Sequence, residues 1–294
     1  MAKRPPSLGV RLGAQAQRSL LAVASYLPYR ARLGFASGVM RAAVAATPKL
    51  RTRVDSNLRL VFPELAAGDR RAIRSAMADN FGRTFAEILG NADFHNQGFW
   101  IPPEPGAGVD AIEAAGSLGT GAVLVTGHFG QWEAGRAWMR SRGVVCAGVY
   151  RPVRDPGLNA VYLENLQFGG TPIFGRDRRA VRGMVGHVAR GGIVAILTDQ
   201  YRRDAATLDF IGQPAPTALL PAELALKFDV PVIPIYGIRQ PDGLHVQVAV
   251  EAPIPRATAA EMMQAVNDSL AARVRAHPGQ YYWLHRRWVK TFPA

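Results

Sequence analysis

One short stretch of this 294-residue chain carries residue types and spacing suited to acid–base chemistry: Thr126-Gly127-His128-Phe129-Gly130-Gln131-Trp132-Glu133. Glycines on both sides of the His128–Phe129 pair let a second molecule approach the backbone closely. Glu133 follows His128 by five positions. In one continuous helix the two side chains would diverge. With His128 in a turn and Glu133 on the first helical turn behind it, the carboxylate folds back to the imidazole. A histidine held by a carboxylate is a general base near neutral pH. No serine or cysteine partners this pair, so the expected nucleophile is a hydroxyl of the substrate itself. The spacing alone is weakly specific, and a histidine that merely ends a strand has the same pattern.

The elements around the stretch decide how it is placed. Ala122–Thr126 is a compact apolar run between glycines and reads as a buried strand. Sites in open α/β sheets form at the carboxyl ends of such strands. Gln131–Arg142 reads as a helix and Val144–Tyr150 as a strand. Asp177–Arg190 reads as a helix that Gly191-Gly192 ends, and Ile193–Thr198 as another buried strand. Thr207–Ile211 has the pattern of an edge strand. Pro221–Phe228 is a helix, and Val230–Ile238 and Leu244–Val250 are strands around the turn Pro241-Asp242-Gly243. Upstream, Ile73, Met77, Phe81, Phe85, Ile88 and Leu89 recur at helical spacing; downstream, Met262, Met263, Val266, Leu270 and Val274 do the same. Strands alternating with helices predict an α/β fold with a mixed, largely parallel central sheet flanked by helices.

Charge divides the chain. Residues 1–60 hold eleven basic groups and one acid, Asp55, whereas residues 61–280 hold 21 of each sign. Arg286, Arg287 and Lys290 add to the basic end. Polyanions, either anionic lipid or nucleic acid, are the partners such ends suggest. Leu12, Leu20, Val23, Leu27, Leu33 and Phe35 alternate with Arg11, Arg18, Arg30 and Arg32. The longest uncharged run there, Ser19–Tyr29, is eleven residues, well short of the ~20 that span a bilayer. The segment 1–50 is therefore expected as N-terminal amphipathic helices, broken near Pro28, that lie in a membrane interface. A helical pair packed on the domain is the other reading. Nucleic acid is not expected as a partner, because basic and aromatic residues are not interleaved over the neutral body.

Other chemistries are excluded or unsupported. No lysine follows a glycine, so there is no P-loop. Ala115-Gly116-Ser117-Leu118-Gly119 precedes its strand, which rules out a nucleophile elbow. The six histidines show no metal-ligand spacing, and the lone Cys146 sits among apolar neighbours as core filling.

The chain resembles the late acyltransferases of lipid A biosynthesis (lauroyl/myristoyl type), within the lysophospholipid acyltransferase superfamily. Gly127–Glu133 is similar to that family's His-x4-acid block. Tyr150-Arg151-Pro152, Phe174-Gly175-Arg176, Thr198-Asp199-Gln200 and Phe210-Ile211-Gly212 match later blocks, as do Ala215-Pro216-Thr217 and Pro231–Pro234. Asn57-Leu58 with Phe62-Pro63-Glu64 fits the segment before the domain, and Tyr281–Trp288 resembles the C-terminal signature.

The resemblance implies a glycerolipid-acyltransferase-like fold, with residues 51–294 as the acyltransferase domain. It implies transfer of a fatty acyl chain from a thioester to a hydroxyl of a lipid A precursor. The donor would be acyl carrier protein, or acyl-CoA in its place, with no metal or other cofactor. His128 would take the hydroxyl proton and Glu133 would orient the ring. Backbone amides near Gly127–Gly130, or Arg151, would hold the oxyanion. Arg151, Arg154 and Arg176 would grip phosphate or sugar-acid groups of the acceptor, while Asp199 and Gln200 would line the site or orient an arginine. The place of work would be the cytoplasmic face of the inner membrane. A lysophospholipid, an ornithine lipid or another glycolipid is the alternative acceptor. Two departures bear on the acceptor: the arginine-interrupted N-terminus and the segment Tyr201–Ala206. Trp283, Arg286 and Arg287 are expected either as membrane-interface anchors or as part of an aromatic core, and Trp132 as packing.

Overall fold

The computed structural model of the chain describes residues 26–153, 155–203 and 205–288. The expectations for residues 1–25 and for Arg154 fall outside these.

A seven-stranded sheet organises the fold. Its strands are β1 (Trp100–Ile101), β2 (Ala122–Thr126), β3 (Cys146–Val149), β4 (Ile173–Phe174), β5 (Ile193–Leu197), β8 (Val232–Arg239) and β9 (Val246–Val250), and its order is β1-β9-β8-β2-β5-β3-β4. Every neighbouring pair is parallel except the β8–β9 hairpin, as the alternating pattern predicts. The centre is β2, register-matched to β5 over its whole length (Ala122↔Ile193 to Thr126↔Leu197). Its uninterrupted apolar run has the reason expected of a parallel strand: both faces are covered. Leu124 packs with Ile112, Trp138 and Ile233 on one side, while Val123 and Val125 pack with Met184, Leu224 and Val266 on the other. Cys146 is in the first of these layers, and burial pushes its thiol up to about 12.

Thr207–Ile211 does not extend the main sheet. It forms β6 (Ala206–Phe210), paired antiparallel with β7 (Gln213–Thr217) in a separate hairpin. The partner strand was hidden in the sequence by Pro214 and Pro216, a residue type depleted in strands. Both prolines fit because this hairpin carries no third strand.

The helices are α1 (Tyr29–Ala46), α2 (Pro48–Val61), α3 (Ala67–Leu89), α4 (Asn91–Gln97), α5 (Ala107–Leu118), α6 (Ala134–Ser141), α7 (Pro156–Phe168), α8 (Arg178–Ala189), α9 (Leu220–Phe228) and α10 (Ala259–Ala276). Helix α1 begins directly after Pro28 and lies along α3. The two approach so closely at Gly82 that an added Cβ would sit 2.6 Å from the Ala36 carbonyl oxygen. No helix among the described residues is long and apolar enough to cross a membrane.

A third apolar layer joins the two ends of the chain. Leu58 and Met77 meet Phe129, Phe210, Tyr281, Trp283 and Trp288. The C-terminal signature is therefore an aromatic core here. Trp283 and Trp288 are buried and stacked, and Arg287 bonds the Pro216 carbonyl, the Thr217 hydroxyl (2.7 Å) and the Asn267 side-chain oxygen (3.2 Å).

Candidate active site

The turn after β2 is built by borrowed hydrogen bonds. The Phe129 amide closes a tight turn on the Gly127 carbonyl (2.8 Å). The Gly130 amide bonds the Gln280 carbonyl (3.0 Å), the Gln131 amide bonds the Gly237 carbonyl (2.9 Å), and the Tyr282 amide donates to the His128 carbonyl (2.9 Å). Gly130 is in the left-handed region (φ 53°), and a Cβ there would sit 1.8 Å from the Gly237 oxygen, so only glycine fits. Its own carbonyl accepts from Thr84 (2.9 Å) and Asn80 (3.1 Å) of α3.

The carboxylate on His128 is Asp199, at the end of β5. Its Oδ2 accepts the His128 backbone N–H (2.9 Å), and its Oδ1 lies 2.7 Å from Nδ1. A carboxylate accepts only, so Nδ1 carries the proton and Nε2 presents a lone pair. Arg176 supports this assignment from the other side. It donates to the Gln200 side-chain oxygen (2.7 Å), which turns the Gln200 amide nitrogen toward His128 Nε2 (3.3 Å). Arg176, Gln200, His128 and Asp199 thus form one hydrogen-bonded chain. Burial by itself would raise the Asp199 pKa; attraction to His128 and the two hydrogen bonds outweigh it and hold the carboxyl well below the usual range.

The expected contact between Glu133 and His128 is not formed. Glu133 is the N-cap of α6, with its amide bonded to the Gln131 side chain (2.8 Å). From there its carboxylate reaches one turn along the helix to Arg136 (2.6 Å). Arg136 is buried and also holds the carbonyls of Leu166 (3.1 Å) and Gly170 (2.7 Å), tying α6 to the end of α7. Glu133 still lines the cavity that His128 faces.

That cavity has a volume of about 430 Å³ and two kinds of wall. Leu166, Val181, Met184, Ile196, Leu197 and Leu220 form an apolar wall, and Arg151, Arg176 and Arg202 stand together around it. Partial burial and repulsion from Arg151 and Arg202 lower the Arg176 pKa. A group of guanidiniums facing one space invites an anion. Trp132 is part of the lining, and its ring packs edge-on against His128 at 5.3 Å.

Arg202, in the Tyr201–Ala206 segment expected to bear on the acceptor, lines the cavity. Sequence reasoning gave no site role to Tyr281 and His285, which arrive from the far end of the chain. The Tyr281 hydroxyl lies buried near Asp199 without a well-aligned partner, and its pKa is raised, first by burial and then by Asp199. The His285 ring stands 4.3 Å from His128. Among the described residues, His128, Asp199 and His285 are the one group that could hold a metal ion, with donor atoms within 4.8 Å of one another. Two of those donors are already joined by the His128–Asp199 hydrogen bond.

Burial drives His285 down to about 3, and it drives His95, near Arg140 and Arg136, down to about 4. Both lie below the ordinary 6.5, so from pH 6.5 downward the unfolded chain binds protons that the folded chain refuses. Stability then falls as pH falls, by up to about 1.4 kcal/mol per pH unit for each group. Urea midpoints measured between pH 7 and pH 5 will show this fall, and His95→Leu will flatten it. A midpoint independent of pH in that window would contradict neutral burial of both rings.

A strand-end histidine held by a carboxylate thus faces an apolar cavity ringed by arginine, at the carboxyl end of the central strands of an α/β sheet. The chain belongs to the bacterial lipid A biosynthesis acyltransferase family, whose model matches residues 12–290. It is 27% identical to the lipid A biosynthesis lauroyltransferase of Escherichia coli, over 91% of this chain and 88% of that one. It is 25% identical to a phosphatidylinositol mannoside acyltransferase of Mycobacterium tuberculosis over 186 residues, which is 62% of this chain. The match spans 59% of the length of that mycobacterial relative.

Proposed function

We propose that this chain moves a fatty acyl group from an acyl thioester, carried by acyl carrier protein, to a hydroxyl of a lipid A precursor. The observation that carries the reading is the Arg176–Gln200–His128–Asp199 chain opening on a cavity with an apolar wall and a basic rim. The apolar wall suits an acyl chain, and the rim suits phosphate groups of the acceptor. The acceptor hydroxyl displaces the Gln200 amide from His128 Nε2, and the lone pair there takes the hydroxyl proton. The oxygen attacks the thioester carbonyl and forms a tetrahedral oxyanion. As the carbon–sulfur bond breaks, the imidazolium returns its proton to the departing thiolate. Asp199 holds the ring and stabilises its charged form throughout.

The oxyanion needs donors. The amides of His128, Phe129, Gly130 and Gln131 are all spent within the fold. Arg151, on the cavity wall, is therefore the better donor. Glu133 acts through Arg136, bracing the wall. The amphipathic, basic N-terminal region holds the protein at the cytoplasmic face of the inner membrane, where the donor is present. A glycolipid acceptor other than lipid A is the second reading, favoured by the mannoside acyltransferase likeness.

A transfer assay tests the proposal. Membranes bearing the protein or its His128→Ala variant receive labelled acyl carrier protein, with lipid A precursor, lysophospholipid and glycolipid as acceptors. A His128-dependent mass gain on lipid A precursor is expected. A gain only on another acceptor replaces the acceptor, and a gain indifferent to His128→Ala overturns the mechanism.

A further inference from the structure

Helix α8 has two unlike faces. Its inner face gives Val181 and Met184 to the cavity wall. Its outer face exposes Arg178, Arg179 and Arg182, with exposed Arg190 just past its end. Among the described residues, no salt bridge engages any of these four. The neighbouring acid, Asp177, uses its side chain to cap the amides of Arg179 and Ala180.

Helix stability does not explain this placement. Arg178 and Arg179 occupy the first turn, where the helix dipole disfavours cations. Arg178 and Arg182 are four apart, and Arg179 and Arg182 three apart, like-charge spacings that weaken a helix. Insertion into lipid does not explain it either, since an interfacial helix must offer an apolar face. The apolar side chains of α8 are turned to the cavity and the core, and Gly183 and Ala189 are what its exposed side shows besides arginine. What remains is recognition of an acidic surface. Arg176, just before α8, and Arg151 and Arg202 carry the same sign of charge into the cavity.

We propose that the outer face of α8 is the docking surface for an acidic, folded carrier protein that presents the acyl thioester on a flexible arm. The inference rests on the acyl-transfer reading above. Docked there, the carrier sits one helix away from the cavity, and its arm passes the arginine rim to His128. Charge complementarity of this kind speeds encounter and weakens with salt.

The test compares two donors, acyl carrier protein and acyl-pantetheine, which keeps the thioester but lacks the protein. Arg178→Glu/Arg179→Glu/Arg182→Glu and the milder triple Arg→Gln variant are measured in detergent, alongside binding to phosphatidylglycerol vesicles. For the carrier donor, KM rises by about tenfold or more in the charge-reversed variant, and its salt dependence flattens. For acyl-pantetheine, kcat/KM stays within about twofold, as does vesicle binding. Equal losses with both donors, an unchanged carrier KM, or a loss confined to vesicle binding would overturn the docking surface. A wild-type protein that uses acyl-pantetheine as well as the carrier would overturn it too, while leaving the acyl-transfer reading intact. Transfer from neither donor by the wild type would instead remove that reading.

Discussion

Asp199→Asn will lower kcat by about a thousand- to ten-thousand-fold, with KM and folding nearly unchanged. An amide in place of the carboxylate donates to Nδ1 and drives the ring proton to Nε2. The lone pair that should take the hydroxyl proton is then lost. The double contact, Oδ2 to the backbone and Oδ1 to the ring, ties tautomer and turn geometry to one residue. Glu133→Gln makes the informative contrast. It leaves Arg136 buried without its counter-charge, so it lowers stability more than turnover. Steady-state kinetics and urea unfolding on the two variants separate the cases. Were Glu133→Gln to abolish turnover with stability intact, Glu133 and not Asp199 would be the partner of the base.

The largest effect on stability is expected at Glu87. Its carboxylate is fully buried and makes a two-pronged pair with Arg239 (2.5 and 2.8 Å). Arg239 also bonds Asn80 (2.9 Å) and Thr84 (3.1 Å), the two residues that hold the Gly130 carbonyl. Glu87→Ala strands a buried guanidinium and will cost about 3–5 kcal/mol. Replacing both partners, as Glu87→Met/Arg239→Met, removes the stranded charge and will recover part of that loss. Chemical denaturation of the single and double variants is the check. A double variant no more stable than the single one would show that the polar network, and not charge burial, sets the cost. In either variant the catalytic turn loses part of its support, so turnover falls as well.

The features legible in the sequence were those written in local pattern. The apolar run Ala122–Thr126 announced a strand covered on both faces, and glycines around His128 announced a turn at its end. The identity of the carboxylate partner was not legible, because it depends on the β2–β5 register. That register places Thr126 beside Leu197 and so brings Asp199 under His128. A spacing of five residues along the chain competes poorly with adjacency across two parallel strands. The same limit hid Arg136, whose partners are scattered over α6, β3 and the loop after α7. It also hid β7, where prolines spoil the strand signal. Tyr281 and His285 were legible only as members of a C-terminal block. Their closeness to Asp199 and His128 is a property of the folded chain alone.

The hydrogen bonds that residues 280–282 lend to the turn around His128 have a consequence for when the enzyme exists at all. The donors and acceptors involved are separated by roughly 150 positions, and contacts of such range carry a large loop-closure cost. While the chain is being made, the sheet strands β2, β3 and β5 can assemble before the last segment arrives. His128 would then sit on an unsupported loop. Support for the turn around His128 is thereby deferred until residues 280–282 have closed on it.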